Sequence, residues 1–244
     1  MAGNCFRLSA HVIQNKLGAR RAAAFDLEAA CSGFIYGIEI GRLFIASGTS
    51  ETVLVVAAEK LSTIVDWHDR HTCVLFGDGA GAVVLRSRDD EPGILTTHLG
   101  ADGSQADILF MPGGGAKHPA TEKSVGARMH YLKMEGRGVF KKAVLAMQTA
   151  AEEALRACNL TIADIKCVIP HQANLRIVDA LANRLGVDST KVYVNLHRYG
   201  NVSAASVAIA LDEAASEGKI QHGDLILLVA FGSGLTWASS VIRW

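Results

Sequence analysis

Residues 165–230, IKCVIPHQANLRIVDALANRLGVDSTKVYVNLHRYGNVSAASVAIALDEAASEGKIQHGDLILLVA, decide the fold class. Short apolar runs at 165–170, 191–196 and 224–230 have the length of buried strands. Between them, 173–185 and 203–215 repeat apolar residues at helical spacing. Strand and helix alternate, which is the rhythm of a layered α/β protein.

Working toward the N-terminus, 139–158 reads as an amphipathic helix and 112–123, with Gly113, Gly114 and Gly115, as a surface loop. The string FGDGAG (76–81) is a glycine-rich hairpin signal leading into a strand at 82–86. The chain closes in a similar way, with FGSG (231–234) leading into 237–243, so an internal duplication is expected. We divide it into a first half, 1–92, and a second half with its linker loop, 93–244. In the first half, 22–27 is expected to be a strand, 33–45 a buried helix, and TVLVVAA (52–58) a strand buried in a parallel sheet. Residues 1–18 supply one expected helix where a full copy would carry strand, helix and strand, so the first half is expected to be incomplete.

Composition removes several classes of function. Half of the 244 residues are hydrophobic, enough for a sizeable core. Lysine plus arginine balances aspartate plus glutamate at 24 each, so net charge alone would hold neither nucleic acid nor an anionic membrane. The five cysteines, Cys5, Cys31, Cys73, Cys158 and Cys167, have no metal-ligand spacing and are odd in number, which argues for reduced thiols in a cytoplasm and against a disulfide scaffold. No stretch reaches the roughly 20 apolar residues of a membrane span, and the start lacks the apolar core of a signal peptide.

Three segments could carry chemistry. Cys31 lies in AACSGF (29–34), where small neighbours permit a sharp turn and the following helix would point its positive end at the sulfur, favouring thiolate. The same segment also reads as a small apolar cysteine packed between strand and helix. His171 follows Pro170 at the end of an expected strand, where open α/β sheets build their sites, and it reads equally as a core or capping histidine. Asn201 precedes a helix whose expected N-cap is Ser203, and Gly-Asn pairs are also ordinary turn residues.

Taken together, AACSGF (29–34), FGDGAGAVVL (76–85), PHQANLRI (170–177), GNVSAAS (200–206) and AFGSGLTW (230–237) resemble the thiolase superfamily. Within it, the sequence is most similar to the β-ketoacyl-acyl carrier protein synthase III family of condensing enzymes, from about residue 8 to the end. That resemblance implies a layered αβαβα fold of two duplicated halves. It implies a decarboxylative Claisen condensation of a short acyl-coenzyme A, acetyl by default, with malonyl-acyl carrier protein.

By the same resemblance Cys31 would carry the acyl group, with the backbone N–H groups of Cys31 and Ser233 as the oxyanion hole and His171 and Asn201 assisting decarboxylation. Family members usually have Gly at the position of Ser233. Phe231 would stand over the leaving carboxylate and Phe76 beside the acyl pocket. Arg176 and Lys141 would greet the carrier protein, and Arg70 and Arg137 would lie near the coenzyme A nucleotide; each also reads as an ordinary solvated charge. A homodimer without cofactor or metal is implied. Family members carry a further N-terminal stretch, hence two other readings: an inactive fragment that associates with a full-length homologue, or a chalcone-synthase-like enzyme using coenzyme A esters alone.

Overall fold

The computed structural model of the chain describes residues 9–88 and 93–244; Cys5 and the first part of the helix expected within 1–18 lie outside them. In chain order come α1 (Ser9–Lys16), α2 (Gly33–Ala46), β1 (Thr52–Lys60), β2 (Asp78–Arg86) and β3 (Ile94–Ala101). The short strands β4 (Leu109–Phe110) and β5 (Lys133–Met134) flank α3 (Glu122–Gly126). Then follow α4 (Gly136–Ala157), β6 (Cys167–Pro170), α5 (Leu175–Leu185), α6 (Leu196–Tyr199), α7 (Ala205–Ser216), β7 (Leu225–Gly232) and β8 (Thr236–Arg243).

The main sheet has the order β3-β8-β7-β6, with β6 parallel to β7 and the other neighbours antiparallel. Side chains of β7 alternate between two cores, as the pleat requires. Ile226 and Leu228 pack with Phe34, Ile35 and Ile38 of α2 and with Val207 and Leu211 of α7. Leu227, Val229 and Phe231 pack with Val144, Met147 and Ala151 of α4 and with Leu181 of α5.

On the far side of α2 and α7 lies the antiparallel ribbon β1–β2, paired from Thr52↔Arg86 to Lys60↔Asp78. Glycines one helical turn apart let α2 lie directly on it. A Cβ on Gly37 would stand 2.8 Å from Val55 Cγ1, and one on Gly41 2.8 Å from Leu85 Cδ1. The described residues thus stack as ribbon, helices, sheet and helices, four of the five layers that αβαβα implies.

Several expectations are corrected. Residues 22–27 form no strand; they are irregular and largely exposed, with no ladder partner among the described residues. The run at 52–58 is strand β1, but it is antiparallel and half-exposed, because its outer face, including Leu54 and Val56, meets solvent. The glycine string at 76–81 makes no hairpin: β2 begins within it at Asp78 and pairs with β1, which precedes it across a long loop. Residues 191–196 contribute a single bridge, Val168↔Val192, because a short helical turn precedes it and α6 begins at Leu196. Ser203 is not the N-cap of α7. Ala204 holds that position, and Ser203 itself takes a left-handed φ of 49°.

Candidate active site

Cys31 sits in a tight 3-10 turn, Ala30–Ser32, that runs straight into α2. Ala30, just before it, is left-handed with φ 46°, a conformation that costs a non-glycine residue free energy and is typical of functional turns. Gly232, the last residue of β7, presses on this turn: a Cβ there would stand 2.6 Å from the Cys31 backbone nitrogen. Thr236 ties the approach down by donating from Oγ1 to the Ala29 carbonyl at 2.9 Å.

Burial pushes the Cys31 thiol up to about 11, and the Glu59 carboxylate acts in the same direction. The Ser203 hydroxyl and the N–H groups of Cys31 and Ser233 act in the opposite direction. The expected bias toward thiolate is therefore outweighed at rest by removal of the sulfur from water.

His171 extends β6 alongside β7, its N–H donating to the Val229 carbonyl at 2.8 Å. It is 3% exposed, and burial pushes its pKa down to about 4, so the ring is neutral at ordinary pH. Its Nδ1 is buried without a hydrogen-bond partner among the described residues. The next residue, Gln172, is equally buried but fully engaged. Its Nε2 donates to the carbonyls of Pro170 at 2.8 Å and Tyr193 at 3.1 Å, and its Oε1 accepts from the Asn195 N–H at 3.0 Å. Gln172 thereby fixes the turn that aims His171.

Asn201 is held through its backbone by the loop before β2. Its N–H donates to Leu75 at 2.8 Å and its carbonyl accepts from Gly77 at 2.9 Å, bridging across Phe76. Gly200 has φ +68°, and a Cβ on it would lie 2.9 Å from the Leu75 carbonyl oxygen, so the turn requires glycine here. The Asn201 side-chain oxygen accepts from the Ser203 N–H at 2.9 Å, which leaves the amide NH2 as the group it can offer.

These residues open on one cavity of about 620 Å³, lined by Cys31, Phe76, His171, Asn201 and Phe231, with Arg137 and Arg176 also on its wall. Arg70 and Lys141 are exposed and do not line it. The Ser233 side chain turns away to donate from Oγ to the Leu109 carbonyl, and its backbone N–H is among the groups that favour the Cys31 thiolate.

The cavity wall also includes residues that the sequence reading did not single out: His71, Leu109 and Met134, and the set Gly136, Phe140, Ala143 and Met147. That last set repeats at helical spacing on α4, a signal present in the sequence but indistinguishable there from an ordinary core face. Among the described residues no cluster of histidine, cysteine and carboxylates could hold a metal ion, and no helix is long and apolar enough to cross a membrane.

Residues 25–103 match the family model of 3-oxoacyl-[acyl-carrier-protein] synthase III, and residues 155–244 match the model of its C-terminal part. The β-ketoacyl-[acyl-carrier-protein] synthase III of Caldanaerobacter subterraneus subsp. tengcongensis is 54% identical over 239 residues, covering 98% of this chain and 72% of that protein. The chain belongs to the β-ketoacyl-[acyl-carrier-protein] synthase III family. The synthase III of Desulfitobacterium hafniense strain Y51 is 51% identical over the same shares of the two chains.

Among solved structures, synthase III from Aquifex aeolicus VF5 superposes with TM-score 0.90 at 46% identity, over 100% of this chain and 74% of that one. The priming β-ketosynthase of the R1128 polyketide pathway does so with TM-score 0.90 at 38% identity, over 99% and 72%. The thiolase-like layered fold expected from the motifs is thus the fold of this synthase III family member.

Proposed function

We propose that the chain joins a short acyl group, acetyl by default, from coenzyme A to malonyl-acyl carrier protein with loss of carbon dioxide, the step that starts fatty acid synthesis. The observation that carries this reading is the convergence of Cys31, His171 and Asn201, from three separate elements, on one cavity.

Cys31 loses its proton as it attacks the thioester carbonyl, and coenzyme A leaves as the thiol with that proton. The N–H groups of Cys31 and Ser233 hold the intermediate oxyanion, and Ser233 serves as well as glycine because only its backbone is used. Malonyl-carrier protein then loses carbon dioxide. The electron pair of the broken bond passes to the α carbon and the thioester oxygen, where His171 and Asn201 each donate a hydrogen bond.

A neutral His171 suits this duty, since it offers one N–H while bringing no charge into an apolar site. Phe231 walls the carboxylate, favouring its departure as a neutral gas. The enolate carbon attacks the acyl group, and Cys31 leaves as the thiolate. Every step uses groups of this chain, so the reading calls for no cofactor.

Phe76 would limit the starter chain. Arg176 and Lys141 would meet the carrier protein, and Arg70 and Arg137 the coenzyme A nucleotide. Arg137 and Arg176 on the cavity wall support this, as does His71, which lines the cavity next to Arg70. Lys141 lies one helical turn beyond Arg137 on α4. We also place the boundary between halves at residues 92 and 93, which accords with the pairing of β3 with β8. The resemblance further supports a cytoplasmic homodimer.

The test is to offer acetyl-coenzyme A with either malonyl-acyl carrier protein or malonyl-coenzyme A. The proposal expects 3-oxoacyl product on the carrier protein and a strong preference for it. Equal use of malonyl-coenzyme A would point to the chalcone-synthase-like reading.

A further inference from the structure

Glu213 lies on α7, away from the residues that line the cavity. Its side chain is only 17% exposed, and a carboxylate so placed needs donors. One short segment, 193–199, supplies them. Oε2 accepts from Asn195 Nδ2 at 2.8 Å and, more distantly, from the Tyr193 hydroxyl at 3.4 Å. Oε1 accepts from the Tyr199 hydroxyl and from Arg198 Nη1 at 3.2 Å. The Arg198 side chain is half exposed, so water screens that pair, and Asn195 and Tyr199 carry most of the hold.

This segment runs between the two groups proposed as enolate donors. At its start it is joined to the turn that aims His171. The Tyr193 carbonyl accepts from Gln172 Nε2 at 3.1 Å, and the Asn195 N–H donates to Gln172 Oε1 at 3.0 Å. Asn195 and Gln172 are both buried, so water does not replace these bonds. At its end come Gly200 and Asn201. The Tyr199 carbonyl faces Gly77 with no room for a Cβ between them, and the N–H of that same Gly77 donates to the Asn201 carbonyl.

We propose that Glu213 is a positioning residue for the decarboxylation half-reaction, its carboxylate clamping both ends of the 193–199 segment so that His171 and Asn201 keep their spacing across the cavity. It acts on His171 through Asn195 and Gln172, and on Asn201 through Tyr199 and Gly200. The two oxygens belong to one rigid group on a helix packed in the core, so together they fix where each end of the segment lies. Cys31 is held from elsewhere, by Gly232 and by the tie from Thr236 to Ala29, so acyl transfer does not depend on the clamp. The proposal rests on reading His171 and Asn201 as the enolate donors.

The experiment compares Glu213→Gln, Glu213→Ala and Tyr199→Phe with the unsubstituted chain in two assays. One is acetylation of Cys31 by acetyl-coenzyme A, followed by mass spectrometry, and the other is release of carbon dioxide from malonyl-acyl carrier protein; urea midpoints are measured alongside. Glutamine keeps the side-chain length and one acceptor oxygen, alanine removes both oxygens, and Tyr199→Phe frees the Asn201 end alone. The kcat of decarboxylation should fall about tenfold in Glu213→Gln and Tyr199→Phe and on the order of 10²-fold in Glu213→Ala, as small misplacements of reacting groups cost. KM for malonyl-acyl carrier protein and the acetylation rate should stay unchanged. Tyr199→Phe added to Glu213→Ala should cost nothing more, because its partner is already gone.

Unchanged decarboxylation in Glu213→Gln, additive losses in the double variant, or acetylation and decarboxylation falling together in step with the urea midpoint would overturn the proposal. An unsubstituted chain that acetylates Cys31 yet releases no carbon dioxide would instead refute the reading of His171 and Asn201 as donors, and the proposal with it.

Discussion

Cys31 and Asn201 face the same cavity but are tied to different neighbours, Cys31 to Gly232 and Ser233, Asn201 to Leu75 and Gly77. Their duties should therefore separate on mutation. Cys31→Ala should abolish acyl transfer and leave some malonyl decarboxylation, whereas Asn201→Ala should keep acylation and lose decarboxylation by on the order of 10²–10³, the usual cost of one such donor. Equal loss of both partial reactions in both variants would contradict this.

His171 offers a second test at this scale. Burial holds it at about 4 in the fold, against 6.5 for an unperturbed histidine, so the unfolded chain takes up the proton first as pH falls. Its contribution is complete above about pH 6.5 and drains away toward pH 4, by about 3 kcal/mol. Urea midpoints measured across that window should fall less in His171→Asn than in the unsubstituted chain; parallel curves would refute the assignment.

At the scale of elements, the end of β7 is the part on which the Cys31 turn depends most closely. Gly232→Ala would force a Cβ against the Cys31 nitrogen and move the N–H proposed as an oxyanion donor, so acylation should fall by on the order of 10²-fold. Retained acylation in that variant would mean that the turn can give way. Much of this element was legible beforehand, because small residues and glycines in AACSGF and AFGSGLTW permit the sharp turns that bring the two segments together.

Other elements were not legible. TVLVVAA reads as a buried strand because a continuous apolar run carries no period, and only the structure shows that Leu54 and Val56 face outward. Ser203 reads as a cap by its residue type, whereas Ala204 holds that position and Ser203 is left-handed, which its residue type does not foretell. The cavity face of α4 was hidden because its spacing is also that of an ordinary core face.

Across the whole molecule, Cys31 enters from the turn before α2, His171 from the end of β6 and Asn201 from the turn before α7, so the site exists only while the layers stay packed. Leu228, fully buried between main sheet and central helices, should cost about 2–5 kcal/mol as Leu228→Ala. Leu54, 43% exposed on the outer ribbon face, should cost no more than about 0.5 kcal/mol as Leu54→Ala. Chemical denaturation checks both, and a core-like penalty at Leu54 would mean that this face is covered in solution.

On the proposed function, Cys31 is a working acyl carrier within this packed arrangement. Intact-mass and peptide mass spectrometry after incubation with acetyl-coenzyme A tests it directly. One acetyl group is expected on Cys31, discharged when malonyl-acyl carrier protein is added. A chain with a native circular dichroism spectrum and no acetyl on Cys31 would contradict it.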